Sequence, residues 1–233
     1  SKNPQEGYLI PELISSPPFL GVTTFDLVQI IRRLFGQIKF NSYESIAADV
    51  DCDNKITIFD IFDIRRFILG SITKFKCESV QLYTADILNP IKVSDQNIVN
   101  LPRFDFDIVP VIKGDVNGSS FFFRNELNEY RSAENFKFFV DNFSVRQGEE
   151  YDVWMSTAEE YNVYGIQLGQ LFDENKLDVL NISSPILNLN KDVDYIINKG
   201  GDWRCLLLNS NVSLFTIYGK FLKIRVKSKF NGM

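Results

Sequence analysis

The chain has 233 residues, 45% hydrophobic and 24% charged, a composition that buries a core and is unlike that of a disordered segment. Its net charge of −5, with 25 basic residues scattered among 30 acidic ones, argues against a nucleic-acid or anionic-membrane surface, since both rely on clustered Lys/Arg. With 0 histidines, Ser–His and Cys–His nucleophile systems are excluded within this chain.

At about 100–200 residues per domain, one or two domains are expected. No apolar run approaches the roughly 18 residues of a membrane-crossing helix, and no basic-then-apolar leader opens the chain. Both ends fall in mid-pattern, so the chain reads as a piece of a larger protein, with residues 1–14 as the tail of a preceding module.

The first strong element is half of an internal repeat. Val22–Gly36 aligns with Ile56–Gly70 at an offset of 34 residues: Thr23/Thr57, Phe25/Phe59, Asp26/Asp60, Ile30/Ile64, Arg32/Arg66 and Gly36/Gly70 are identical pairs. In each copy apolar residues recur three to four apart, and a glycine stands where a left-handed C-terminal cap belongs. This predicts two amphipathic helices of about three turns, which can bury their faces only against each other or a neighbour.

Ahead of the second helix, residues 49–60 read Asp-Val-Asp-Cys-Asp-Asn-Lys-Ile-Thr-Ile-Phe-Asp. Carboxylates at loop positions 1, 3, 5 and 12, with an apolar residue at 8, are the spacing with which an EF-hand-type loop wraps a hard cation in oxygens. Asp49, Asp51 and Asp53 supply side-chain oxygens, Lys55 a backbone carbonyl, Asp60 the closing carboxylate, and Thr57 a direct or water-bridged contact. Asn54 replaces the usual glycine at position 6, where a left-handed turn is needed and asparagine is the next best tolerated residue. The plain alternative is a solvated acidic turn with Asp60 as a helix cap. Four carboxylates in 12 residues repel strongly without a cation, so Ca2+ is the expected cofactor.

Counting back from Asp26 places Ser15, Pro17 and Phe19 at the matching positions of the first copy. Two of these cannot donate a side-chain oxygen, so no independent ion is expected in the 15–26 loop. Cys52, Cys77 and Cys205 fit neither a disulfide scaffold nor a CxxC zinc motif. Three unpaired thiols are expected, with a Cys52–Cys77 bridge left open; Cys52, at loop position 4, points away from the ion.

Residues 71–113 carry short β-rich runs at 79–83 and 104–112, broken by Asn89-Pro90 and Leu101-Pro102, and read as an irregular extension wrapping the helix pair. Asp115-Val-Asn-Gly-Ser-Ser120 begins like another cation loop, but Phe121-Phe-Phe123 does not continue it towards Glu126. It reads mainly as an Asn-Gly turn at a module junction. The alternative is that Asp115 and Asn117 fold back to complete a second, weak cation site with Asp26. Residues 119–136 read as a linker. From about Lys137 the runs 138–145, 150–155, 164–171, 177–182, 204–208 and 221–226, spaced by turn residues, predict an antiparallel β-sandwich.

An aspartate closing the loop, a helix after it and no matching helix before it resemble a dockerin repeat over residues 15–70. Ile46-Ala-Ala-Asp-Val-Asp51, Ile56-Thr-Ile-Phe-Asp-Ile61, Arg65-Arg-Phe-Ile-Leu-Gly70 and Ile112-Lys-Gly-Asp-Val-Asn-Gly-Ser119 are similar to dockerin-like segments of large secreted Bacteroidota surface proteins. The resemblance implies a calcium-stabilised helical module that docks onto a β-sandwich. It places partner-reading residues at loop positions 10 and 11, here Thr24, Phe25, Ile58 and Phe59, although their apolar character favours the core. The order of a strand, the Gln147-Gly148 turn, a second strand and then Tyr164 to Leu177 resembles the opening half of a cohesin-type sandwich, with the last strands cut off.

Catalysis finds little support. Glu149/Glu150 and Glu159/Glu160 are adjacent and would point to opposite faces of a strand, and neither a P-loop nor a dinucleotide fingerprint occurs. Trp154 and Trp203 could line a sugar platform, with sandwich-core aromatics the simpler reading. The expected fold is α+β and multi-module: a dockerin-like calcium module with a β-rich extension over 15–118, a linker over 119–136, and a cohesin-like sandwich over 137–233. The expected function is a non-catalytic interaction or scaffold segment of a secreted or cell-surface protein, with a β-sandwich as partner in cis or in trans. A carbohydrate-binding accessory region of a secreted polysaccharide-degrading enzyme is the alternative.

Overall fold

The computed structural model describes residues 21–93, 107–119, 136–142, 144–209, 211 and 213–232. Three helices come first: α1 (Thr24–Leu34), α2 (Ser42–Ala48) and α3 (Ile58–Leu69). The two repeat helices start alike, because Thr23 and Thr57 each form a capping box with the aspartate three residues on. They end alike too, with Gly36 and Gly70 in the left-handed conformation. Their inner faces, Leu27, Ile30 and Ile31 on α1 and Ile64 and Ile68 on α3, meet Ala47, Ala48 and Val50 in one buried cluster.

Strands β1 (Val80–Thr84) and β2 (Ile108–Ile112) pair antiparallel and close this cluster with Tyr83 and Val111. Phe75, on the approach to β1, stacks on Phe67 of α3 at 4.6 Å between ring centres. The expected run at 79–83 is thus a strand; the part of the 104–112 run before residue 107 lies outside the described residues.

The remaining strands are β3 (Phe139–Val140), β4 (Glu150–Val163), β5 (Gly165–Leu171), β6 (Leu177–Ser183), β7 (Tyr195–Asn198), β8 (Asp202–Leu208) and β9 (Phe215–Ser228). They form two sheets, ordered β3-β4-β9-β6 and β5-β8-β7, with every pair antiparallel. Ile182, Phe221, Leu222 and Ile224 from the first sheet bury against Trp203, Cys205 and Leu207 of the second.

β8 explains how the helices and the sandwich come together. Its residues Trp203, Cys205 and Leu207 face the sandwich core, while Leu206 and Leu208 belong to the helical cluster. A strand covered on both faces has no solvent side, and this is why Cys205–Leu208 is apolar without alternation. The layers are therefore helices, then β5-β8-β7, then β3-β4-β9-β6. Arg65 of α3 reaches the residue before β7, Asp194, at 3.3 Å; burial pulls the guanidinium pKa down and the Asp194 charge opposes that.

Three differences from the sequence expectations have physical causes. A helix, α2, does precede the 49–60 loop; Asn41 and Glu44 form its capping box, but seven residues are too few to show a helical period. Cys52 and Cys77 are joined in a disulfide with Cα atoms 5.9 Å apart, so the expectation of three free thiols is corrected. Cys205 alone is free, and burial pushes its thiol up to about 12. β4 and β9 run 14 residues each because irregularities at Met155/Ser156 and Thr157/Tyr161 break the alternation without ending the pairing. Among the described residues no helix is long and apolar enough to cross a membrane.

Gly165 opens β5 against Thr24, the first residue of α1. A Cβ built there would stand 2.7 Å from Thr24 Cγ2 and 3.1 Å from Leu208 Cδ1. Gly165→Val is therefore expected to push α1 off β5 and to cost about 1–3 kcal/mol by overpacking, read as a lowered urea midpoint. An unchanged midpoint would remove the close contact from the account of how the layers join.

Candidate metal centre

The 49–60 loop leaves α2 at Asp49, which is that helix's C-cap. It then turns inward twice, with Cys52 at φ 60° and Asn54 at φ 65°. These left-handed residues aim successive backbone N–H groups at the aspartates: Asp53 N donates to Asp49 Oδ1 and Asp51 Oδ1, both at 3.2 Å, and Asn54 N donates to Asp49 Oδ2 at 3.1 Å. Lys55 N donates to Asp53 Oδ1 at 2.8 Å. One carboxylate oxygen each of Asp49, Asp51 and Asp53 lies within 4.8 Å of the others, and this cluster can hold a metal ion. An all-oxygen donor set suits a hard divalent cation rather than zinc or copper.

Asp60 stands outside that trio and closes the loop from behind. It is fully buried; its Oδ1 accepts from Val50 N at 2.9 Å and its Oδ2 from Thr57 N at 2.8 Å. Thr57 itself is the N-cap of α3. Burial raises the Asp60 carboxyl above the usual range; the Asp51 charge pushes the same way, and backbone hydrogen bonds oppose both.

A second group repeats this arrangement across a sequence gap of 91 residues. The turn that holds Asp115 and Asn117 lies against Asp26, and Asn117 N donates to Asp26 Oδ1 at 3.2 Å. Ser119 N donates to Asp115 Oδ1 at 2.9 Å and to Asn117 Oδ1 at 3.0 Å, the counterparts of the two bonds made by Asp53 N. Thr23 N donates to Asp26 Oδ2 at 2.8 Å, as Thr57 N does to Asp60. Ser119 Oγ donates to Gly21 O at 3.1 Å, and Gly21 is the repeat counterpart of Lys55. Ser15, Pro17 and Phe19, the positions counted back from Asp26, lie outside the described residues. Burial, with the Asp115 charge second, pushes the Asp26 carboxyl up to about 7.

Lys113 joins the two groups, a role the sequence reading missed. Its side chain is buried, and Nζ donates to Ile46 O at 2.6 Å and to Asp49 O at 2.7 Å. A cation at the C-terminus of α2 suits the helix dipole. Burial lowers the Lys113 pKa, while Asp49 opposes that most strongly. Gly114 N donates to Ala47 O at 2.7 Å, so the stretch leading into Asp115 is fastened to the helix leading into Asp49. Ser119 was also overlooked, although the 1, 3, 5 spacing of Asp115, Asn117 and Ser119 matches Asp49, Asp51 and Asp53.

The four positions at which the resemblance implies partner-reading residues divide. Thr24 is buried, but Phe25, Ile58 and Phe59 are 51%, 56% and 68% exposed, which corrects the expectation that they are core. They occupy the first turns of α1 and α3, where the inward face is taken by Asp26 and Asp60. Trp203 is in the sandwich core, and Trp154 has the ammonium groups of Lys220 and Lys223 at 5.3 and 5.6 Å from its ring centre. No model of a protein family, no curated protein and no solved structure matches this chain.

The Asp26 shift carries a sign. A carboxyl raised from 3.8 to about 7 binds its proton more tightly folded than unfolded, so its stabilising contribution is full below pH 3.8 and fades as pH rises through 7. In chelator, the parent is expected to lose stability relative to Asp26→Asn between pH 5 and pH 8, measured as the gap between urea midpoints. A gap constant across that range would contradict the shift.

Proposed function

We propose that this chain is a non-catalytic, calcium-ordered interaction and scaffold segment of an extracellular protein. In this reading residues 15–118 form a dockerin-like helical module and the following sandwich is cohesin-like. One observation carries it: the Asp49/Asp51/Asp53 cluster at the foot of α3 has a matching Asp115/Asn117/Ser119 group at the foot of α1.

Calcium is the ion of choice because the 12-residue spacing and all-oxygen donors suit a large, flexible coordination shell, whereas Mg2+ demands a smaller, stricter one. The ion neutralises carboxylates that otherwise repel. The loop then holds the first turn of α3 in place, and through α1 and α3 it stiffens the helix layer on β5-β8-β7. The packing of these helices on β8 supports docking in cis, and exposed Phe25, Ile58 and Phe59 offer a face for a partner in trans. A disulfide beside the loop supports an oxidising, extracellular setting, where millimolar calcium makes even a weak site sufficient. The carbohydrate-binding alternative loses support, since Trp203 is core and Trp154 is flanked by lysines.

Calorimetric titration is expected to show calcium binding at two sites, one lost in Asp49→Ala/Asp51→Ala and the other in Asp115→Ala/Asn117→Ala. At a free concentration of 100 Kd each ion should add about 2.7 kcal/mol of stability. Absence of binding by the parent chain would overturn the reading.

A further inference from the structure

We propose that the Cys52–Cys77 disulfide sets the calcium affinity of the 49–60 loop, so that thiol–disulfide exchange at this bond controls the site. The inference rests on the calcium reading of that loop and adds a regulatory input to it.

The bond is placed to act on the ligands directly. Cys52 is the residue between Asp51 and Asp53, and its backbone at φ 60° makes one of the two left-handed turns that gather the carboxylates. Its partner lies 25 residues away, in the segment between α3 and β1. That segment is itself fixed: Cys77 N donates to Val50 O at 3.4 Å, and Phe75 is buried against Phe67. The disulfide therefore anchors position 4 of the loop to the packed part of the module, while positions 2 and 12 are already joined through Val50 N and Asp60.

Without an ion, the three clustered carboxylates drive the loop open by mutual repulsion. The covalent tie limits how far it can spread, so an arriving cation meets ligands already gathered. Once the tie is cut, the ion must gather them itself, and that ordering is subtracted from the binding free energy.

Cys52 is exposed, which makes its sulfur the point of attack. A thiolate of a dithiol reductant bonds to Cys52 Sγ and expels Cys77 as the thiolate. The reductant's second thiol then closes a disulfide within the reductant and releases Cys52. Two electrons pass to the protein, and the reductant is oxidised by the same two. Free Cys205 is buried in the other core and takes no part.

The test compares calcium titrations of the oxidised chain, the same chain reduced by dithiothreitol, and Cys52→Ser/Cys77→Ser, with loop luminescence under bound terbium as a second readout. Reduction and the double substitution are each expected to weaken the 49–60 site by about tenfold, about 1.4 kcal/mol. The site at Asp26 and Asp115 should change much less, and re-oxidation should restore the parent value. Equal affinity in both redox states would overturn the proposal and leave the calcium reading standing. An equal loss at both sites, which marks general loosening, would overturn it too. If the oxidised chain binds no calcium, the functional reading fails first and this one falls with it. Should the serine variant not fold without ion, competition against a chelator from the calcium-loaded state gives the same comparison.

Discussion

A buried carboxylate at the start of each long helix is the constraint on which the rest of the structure depends. Asp26 and Asp60 have no exposure to solvent, and a lone buried charge is among the costliest groups a fold can hold. Each is made tolerable by backbone N–H groups from its own N-cap threonine and from a loop that comes to meet it. The capping box, the loop and the helix are thus one unit: removing the carboxylate would leave helix start and loop without a common partner. Because α1 and α3 start from these points, the inner faces of both helices, and with them the cover over β8, are set from the same two atoms groups.

A second layer of order comes from Lys113. Its ammonium is inside the molecule, yet it meets carbonyl oxygens at the end of α2 rather than a carboxylate oxygen. The neighbouring Gly114 N–H adds a further bond to that helix end. The helix that introduces one cluster and the strand that introduces the other therefore cannot shift independently. Apolar packing then extends this rigid part to the sandwich through Leu206 and Leu208, whose strand neighbours Cys205 and Leu207 belong to the opposite core.

Much of this was legible in the sequence where the signal was local. The repeat helices, the left-handed Asn54 and the first carboxylate cluster all follow from residues a few positions apart. The strands of the sandwich were largely visible, except β7, whose four residues Tyr195–Asn198 are too short to show a pattern. What could not be read depends on distance along the chain. Cys52 and Cys77 are 25 residues apart, with nothing in their spacing to single out the pair. Asn117 is 91 residues from Asp26, so Asn-Gly read first as a turn. The exposure of Phe25 and Phe59 was hidden for another reason: a phenylalanine next to a buried aspartate looks like core until the helix phase is known.

The contact of Ser119 with Gly21 gives the helical module an unusual relation to the chain that carries it. Each half of the module is a loop followed by a helix, but one half is written out of order, with its helix at 24–34 and its loop at 115–119. This is the connectivity of a circular permutant, with its seam at the cluster around Asp26. The seam is also where the chain enters and leaves the module. Parting Gly21 from Ser119 would therefore break the contact of Asn117 with Asp26 as well. An ion held there would close the helical module at the point where its first and last described residues, Gly21 and Ser119, meet.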